Sequence, residues 1–418
     1  MTETGIAELS SPSRSVQFVD KLDTYRLMIA DLRNYAGWFA LDAERASGFK
    51  YSQRAYLVQV ARGESDLYLI DPIAITTLLA SPTLDELAEL LSGDTWILHA
   101  ATQDLPCLAE LGLKPSSLFD TELGCRLLGL ERVGLGAVVE HFLQLGLAKE
   151  HSAVDWSKRP LEPGWLTYAA LDIDVLDALA KAIAAELEKQ GKNDWATQDF
   201  ASLVNFAPKP AKADKWRSTS GLHEVKDQRG LAVARALWGA RDELAQRLDV
   251  SPGRLIPDVS ISHAAKTLPK SKALLAADKS FHGRASRNYL DLWWQAIAEG
   301  LSTNDLPPLK LTNTGIPNHK NWAKKFPLAA ARLAIARELI SQIATQNHLP
   351  TENLISPDPV RQICWPERES AEHEIIDSEL AALGVRKWQR ELTVAALAEA
   401  IRSAAEWLSR QEREHTEP

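Results

Sequence analysis

The sequence predicts an α/β domain built on a mixed β-sheet and followed by all-helical modules, and three observations carry that reading. Short β-type runs fill the chain as far as Leu98, a helix-sized apolar stripe is inserted among them, and beyond about Leu105 the apolar residues recur mostly at helical spacing. With 418 residues, and about 150 residues per domain, about three domains or two large ones are expected rather than one core.

Trp38-Phe39-Ala40-Leu41, Tyr56-Leu57-Val58-Gln59-Val60 and Leu67-Tyr68-Leu69-Ile70 read as the first strands. Their connections are too short for helical crossovers, so they pair antiparallel as a meander. Ser81-Pro82-Thr83 ahead of Leu84, Leu87, Leu90 and Leu91 marks a helix over 81–92, after which Trp96-Ile97-Leu98 returns to strand. Residues 208–220 carry Lys209, Lys212, Lys215 and Arg217 against the single acid Asp214, and 306–327 carry Lys310, Lys320, Lys324 and Lys325 with no acid. Both read as basic linkers, serving either as plain tethers or as contacts to a phosphate backbone. Between them Val233, Leu237, Leu244 and Leu248 share one helix face. At a constant offset of 99, Leu244, Ala245, Val250, Leu255 and Ile256 match Ile343, Ala344, Leu349, Leu354 and Ile355, which predicts two related helical modules.

The balance of 47 Lys+Arg against 56 Asp+Glu, net −9, excludes a surface that grips nucleic acid by charge everywhere and leaves room for a local basic groove. Cys107, Cys125 and Cys364 are too few and too scattered for a disulfide framework or a Cys-based zinc site, which fits a reducing compartment. No apolar run reaches the roughly 18 to 20 residues of a membrane span, and 1–14 is polar, so a cytoplasmic location is expected.

Three acidic signals carry chemistry. Asp42 and Glu44 alternate at the end of the Trp38 strand, so both project from one face and can hold a divalent metal, although most Asp-x-Glu pairs are merely solvated. Asp104 follows His99 and the Trp96 strand and opens a helix, where a carboxylate is ordinarily a cap. Tyr168 and Asp172, four residues apart, lie on one helix face.

In this order the three motifs, Leu41-Asp42-Ala43-Glu44, His99 through Asp104-Leu105, and Tyr168 through Asp172, resemble those of the DEDD 3′-to-5′ exonucleases, and within them the ribonuclease D family. Phe119-Asp120-Thr121-Glu122-Leu123, Lys149-Glu150-His151 and Asp155-Trp156-Ser157-Lys158-Arg159-Pro160-Leu161 resemble the same family. Tyr168 stands four residues before Asp172 and Thr167 five before it, which places the chain in the tyrosine branch. The region from about Leu222 to Gly300 resembles the HRDC module of these enzymes, and the 99-offset copy resembles their second helical domain.

The resemblance implies a ribonuclease H-like exonuclease domain with two HRDC-type helical domains. The boundaries expected are a disordered 1–14, the exonuclease domain 15–205, a basic linker 206–218, the HRDC domain 219–302, a linker 303–325, a second HRDC-like domain 326–410 and a disordered tail 411–418. It implies metal-dependent hydrolysis of RNA from a free 3′ end to nucleoside 5′-monophosphates, with transfer RNA precursors as substrate; the sequence leaves the oligomeric state open, with a monomer favoured. Two divalent ions, Mg²⁺ or Mn²⁺, are implied: Asp42, Glu44 and Asp172 on one, Asp42 bridging to the second, and Asp104 positioning that ion through water. Tyr168 is implied to orient the attacking water, since a phenol near pKa ~10 is a poor base at neutral pH.

Other signals fail on their residues. Gly134-Leu135-Gly136 lacks a third glycine and a preceding strand, so it separates two helices rather than binding a dinucleotide. No GxxxxGK[ST] loop exists, and His373-Glu374-Ile375-Ile376-Asp377 lacks the second histidine of a zinc-protease helix. A DNA 3′ exonuclease and a silent RNA-binding scaffold remain the alternatives.

Overall fold

A computed structural model describes residues 6–147, 154–208, 210, 213–311, 315–365 and 371–414. Lys149, Glu150, His151, Lys209 and Lys212 lie outside the described residues. The strands are β1 (Ala7–Leu9), β2 (Val16–Val19), β3 (Phe39–Arg45), β4 (Ala55–Arg62), β5 (Leu67–Ile70), β6 (Thr95–Leu98), β7 (Ser117–Asp120) and β8 (Leu145–Leu147). Among the described residues six of them form one mixed sheet in the order β2-β5-β4-β3-β6-β7. The antiparallel meander β3-β4-β5 is the expected one, while β2 joins β5, and β6 joins both β3 and β7, in parallel. β4 and β5 are apolar and buried almost throughout, as strands covered on both faces must be.

Several expectations are corrected. β3 continues through Arg45, so Asp42 and Glu44 lie inside the strand rather than past its end. The helix placed over 81–92 is shorter, Asp85–Leu91, because the Ser81 hydroxyl accepts from the Thr83 amide in a turn and the Leu84 amide donates to the Leu111 carbonyl, across to another loop. The segment 1–14 is not wholly disordered: β1 pairs with β8, and Ser13 and Arg14 bind the Asp174 carboxylate, with Arg14 also donating to the carbonyls of Gly63 and Ser65. At the other end the helix Lys387–Glu414 runs past residue 410.

Both linkers are shorter than expected, and in each a tryptophan shows why. Trp216 is buried in the first helical unit, with the Arg217 guanidinium over its ring at 4.4 Å and donating to the Pro308 carbonyl, so Arg217 is a structural cation rather than a free tether charge. Trp322 is fully buried, and its indole donates to the Pro317 carbonyl.

The first helical unit closes around its own core, which includes Val233, Leu237, Ile256, Phe281 and Trp293. The second shares one continuous core with the sheet domain. Trp388 stacks on Trp195 at 4.7 Å, and its indole donates to Asp199, which also receives Arg386. The buried Lys192 donates to the carbonyl of Leu127 at 2.7 Å and to that of His348 at 3.4 Å. Gly129 has φ +83°, and a Cβ there would lie 2.4 Å from the His348 carbonyl oxygen, so only glycine lets the units meet.

The 99-residue offset has a backbone counterpart. Asp249 (φ 47°) and His348 (φ 50°) are both left-handed, and the Val250 amide donates to Ala245 as the Leu349 amide does to Ala344, the same helix-ending hydrogen bond in both units. Among the described residues no helix is long and apolar enough to cross a membrane.

Candidate active site

Strand alternation sends Asp42 and Glu44 to one face of β3, while Leu41 and Ala43 bury on the other. Directly after Glu44 the pairing with β4 shifts register. Asp104 arrives from β6 through a tight turn in which Ala100 takes φ 60°. Asp120 holds that turn: its carboxylate accepts the amides of Ala100 and Ala101 while capping the helix Thr121–Leu127 through Leu123. Asp104 itself makes no cap bond, although the helix Leu105–Glu110 begins beside it, and its carboxylate lies beside that of Asp42 instead. The helix Pro163–Asp174 packs on the sheet through the buried Ala169 and Ala170, residues small enough for close approach, and this brings Tyr168 and Asp172 into the same cleft, phenol beside carboxylate.

One oxygen each from Asp42, Glu44 and Asp172 lies within 4.8 Å of the others, with Asp104 joined to the group through Asp42. The five residues singled out by the sequence therefore meet, and they line a cleft of about 610 Å³. Burial pushes Asp42 up to about 6. Burial, then the neighbouring carboxylates, hold Glu44, Asp104 and Asp172 well above the usual carboxylate range. The same causes raise the Tyr168 phenol, so it is a neutral donor rather than a base. His99, pushed down to about 4 by burial, is neutral, with Nδ1 2.8 Å from the Thr121 hydroxyl.

Burial disfavours negative charge on this cluster, a penalty that a bound cation would offset. The all-oxygen donor set fits hard divalent cations such as Mg²⁺ or Mn²⁺. Sequence reasoning did not assign Phe49, Gln103, Leu135 and Val154 to the cleft lining. It also gave no role to Asp120, for which a carboxylate at a helix start was the available signal.

Comparisons with known proteins agree with this geometry. A 3′-5′ exonuclease domain family matches residues 16–188, the HRDC domain 230–297, and a 3′ to 5′ exonuclease C-terminal domain 315–401. The ribonuclease D of Pseudomonas paraeruginosa is 31% identical over 267 residues, 63% of this chain and 69% of that protein. Among solved structures, a protein from Bifidobacterium adolescentis superimposes with TM-score 0.85 at 35% identity, covering 95% of this chain and all of that one. The ribonuclease D of Escherichia coli shares the fold, with TM-score 0.64 at 21% identity over 93% of this chain and 99% of that one. Sequence relatives, domain order and the meeting of the acidic motifs in one cleft agree that this chain belongs to the ribonuclease D family.

Proposed function

We propose that the chain hydrolyses RNA from a free 3′ end, releasing nucleoside 5′-monophosphates, with Asp42, Glu44, Asp104 and Asp172 as the ligands of two divalent ions and Tyr168 as the catalytic side chain that orients water. The observation that carries this is the convergence of those carboxylates beside a neutral phenol in an open cleft. Such ions, when bound, neutralise charge on the phosphate and lower the pKa of water. Asp42, Glu44 and Asp172 would hold one, and Asp42 with Asp104 the other. The neutral Tyr168 phenol, beside Asp172, offers the attacking water a hydrogen-bond partner and orients it for in-line attack. His99, uncharged, adds no positive charge that would compete with a cation. The cellular substrate in this reading is a structured RNA with a free 3′ end, such as a transfer RNA precursor, processed in the cytoplasm by a monomer.

Matched 3′-labelled RNA and DNA, incubated with Mg²⁺ and then with chelator, test the proposal. Release of RNA mononucleotides that stops with chelator, and that Asp42→Ala abolishes by several orders of magnitude, is expected. Preference for DNA would make the chain a DNA exonuclease, and no digestion of either polymer would leave an RNA-binding scaffold.

A further inference from the structure

We infer that the first helical unit braces a wall of the catalytic cleft, with the turn 249–254 clamping the loop 46–54 and Arg254 acting as a positioning residue for the 3′-terminal nucleotide. This rests on the exonuclease reading above. The loop follows Glu44 after the register shift of β3 and begins with a turn in which the amides of Phe49 and Lys50 both donate to the Ala46 carbonyl at 2.8 Å. Its residues Ser47, Gly48 and Phe49 form one wall of the cleft. Ser47 and Gly48 are exposed, so the sheet domain alone gives this wall little backing.

The helical unit supplies the backing. Arg254 Nε donates to the Gly48 carbonyl at 2.8 Å, and its guanidinium lies 4.1 Å from the centroid of the Phe49 ring. The Ser251 amide donates to the Phe49 carbonyl at 2.9 Å. Thus two successive main-chain carbonyls of the wall take donors from the other unit, which fixes the backbone itself. Further along, the Ser52 amide donates to Asp249 at 2.9 Å, and Tyr51 donates to Asp242 at 3.2 Å and packs against the helical unit's own core. Asp249 can reach the loop because it ends its helix in the left-handed conformation. A module that only gripped the body of an RNA would need none of these bonds. An aromatic ring in a cleft wall is a surface on which a base stacks, and misplacing such a group by about 1 Å costs up to roughly 10² in rate.

The test uses the full chain, Mg²⁺ and a single-stranded RNA of about five nucleotides, set beside a long structured RNA. Arg254→Ala is expected to lower kcat about tenfold on the short RNA with an unchanged melting temperature, and Arg254→Lys to restore part of it. Ser251 has φ −54°, which proline adopts, so Ser251→Pro removes the amide donor without changing that angle and is expected to lower kcat likewise. If Arg254→Ala lowers the melting temperature, Ser251→Pro decides alone. Wild-type kcat on the short RNA, with any loss confined to KM on the long one, overturns the inference and makes the unit a grip. A wild-type protein that digests no RNA fails the underlying reading instead.

Discussion

Tyr168 and Asp104 make opposite uses of the same buried acidity. The phenol keeps its proton because burial and Asp172, Glu44 and Asp42 oppose its ionisation. Tyr168→Phe therefore removes an orienting hydrogen bond and not a base: kcat should fall roughly 10- to 100-fold while Mn²⁺ affinity by calorimetry stays within about twofold. The carboxylates carry a stability cost. Asp42, raised from 3.8 to about 6, contributes most stability below pH ~4, and that contribution is lost as pH climbs through ~6. Metal-free protein in chelator should thus melt at a lower temperature at pH 7.5 than at pH 5 as far as this cluster goes. Asp104→Asn should raise that melting temperature at pH 7.5 by about 2–4 °C while abolishing activity, because a neutral amide replaces a carboxyl whose ionisation burial opposes, and a ligand is lost with it. Asp42 and Glu44 were legible as a pair because alternation in a strand fixes their common face. That Asp104 is no cap was not legible, because only its place beside Asp42, remote in sequence, shows what the carboxylate serves.

Among the elements, the strand-turn-helix of β7 and Thr121–Leu127 does more than its length suggests. Asp120 satisfies three amides, two of them on the turn leading to Asp104. Asp120→Ala leaves all three without an acceptor and should cost about 2–4 kcal/mol in urea denaturation, with a lower kcat as Asp104 loses its register. The meander β3-β4-β5 was readable from β-branched and aromatic runs separated by turns. β2 and β7 were not: neither adjoins a hairpin turn, and Gln17 in one and Ser117 and Asp120 in the other interrupt their apolar runs, whereas Trp96-Ile97-Leu98 announces β6. The linkers misled for a related reason: Trp216 and Trp322 sit in basic, proline-rich stretches, and burial of one large side chain outweighed the local composition.

The molecule as a whole divides unevenly. Because the first helical unit has its own core, residues 214–308 expressed alone should melt cooperatively by circular dichroism. The second unit shares its core with the sheet domain, so Trp388→Ala, which removes the stack on Trp195 and a donor to the buried Asp199, should destabilise the nuclease itself by about 3–5 kcal/mol and expose it to limited proteolysis. The offset of 99 was visible as five apolar matches, but how each copy docks was not, since contacts spanning some 156 to 206 positions leave no local pattern.

Asp249 and His348 occupy one corner of a duplicated shape, and both corners face the sheet domain. At the first, a carboxylate reaches out and takes hold of the loop 46–54 through the Ser52 amide. At the second, a bare carbonyl presses against Gly129 with no room for a methyl group. The same knuckle of backbone thus serves once as a hand and once as a wedge, so side chains at the first corner can vary the grip, whereas at the second even alanine in place of Gly129 would prise the two halves apart.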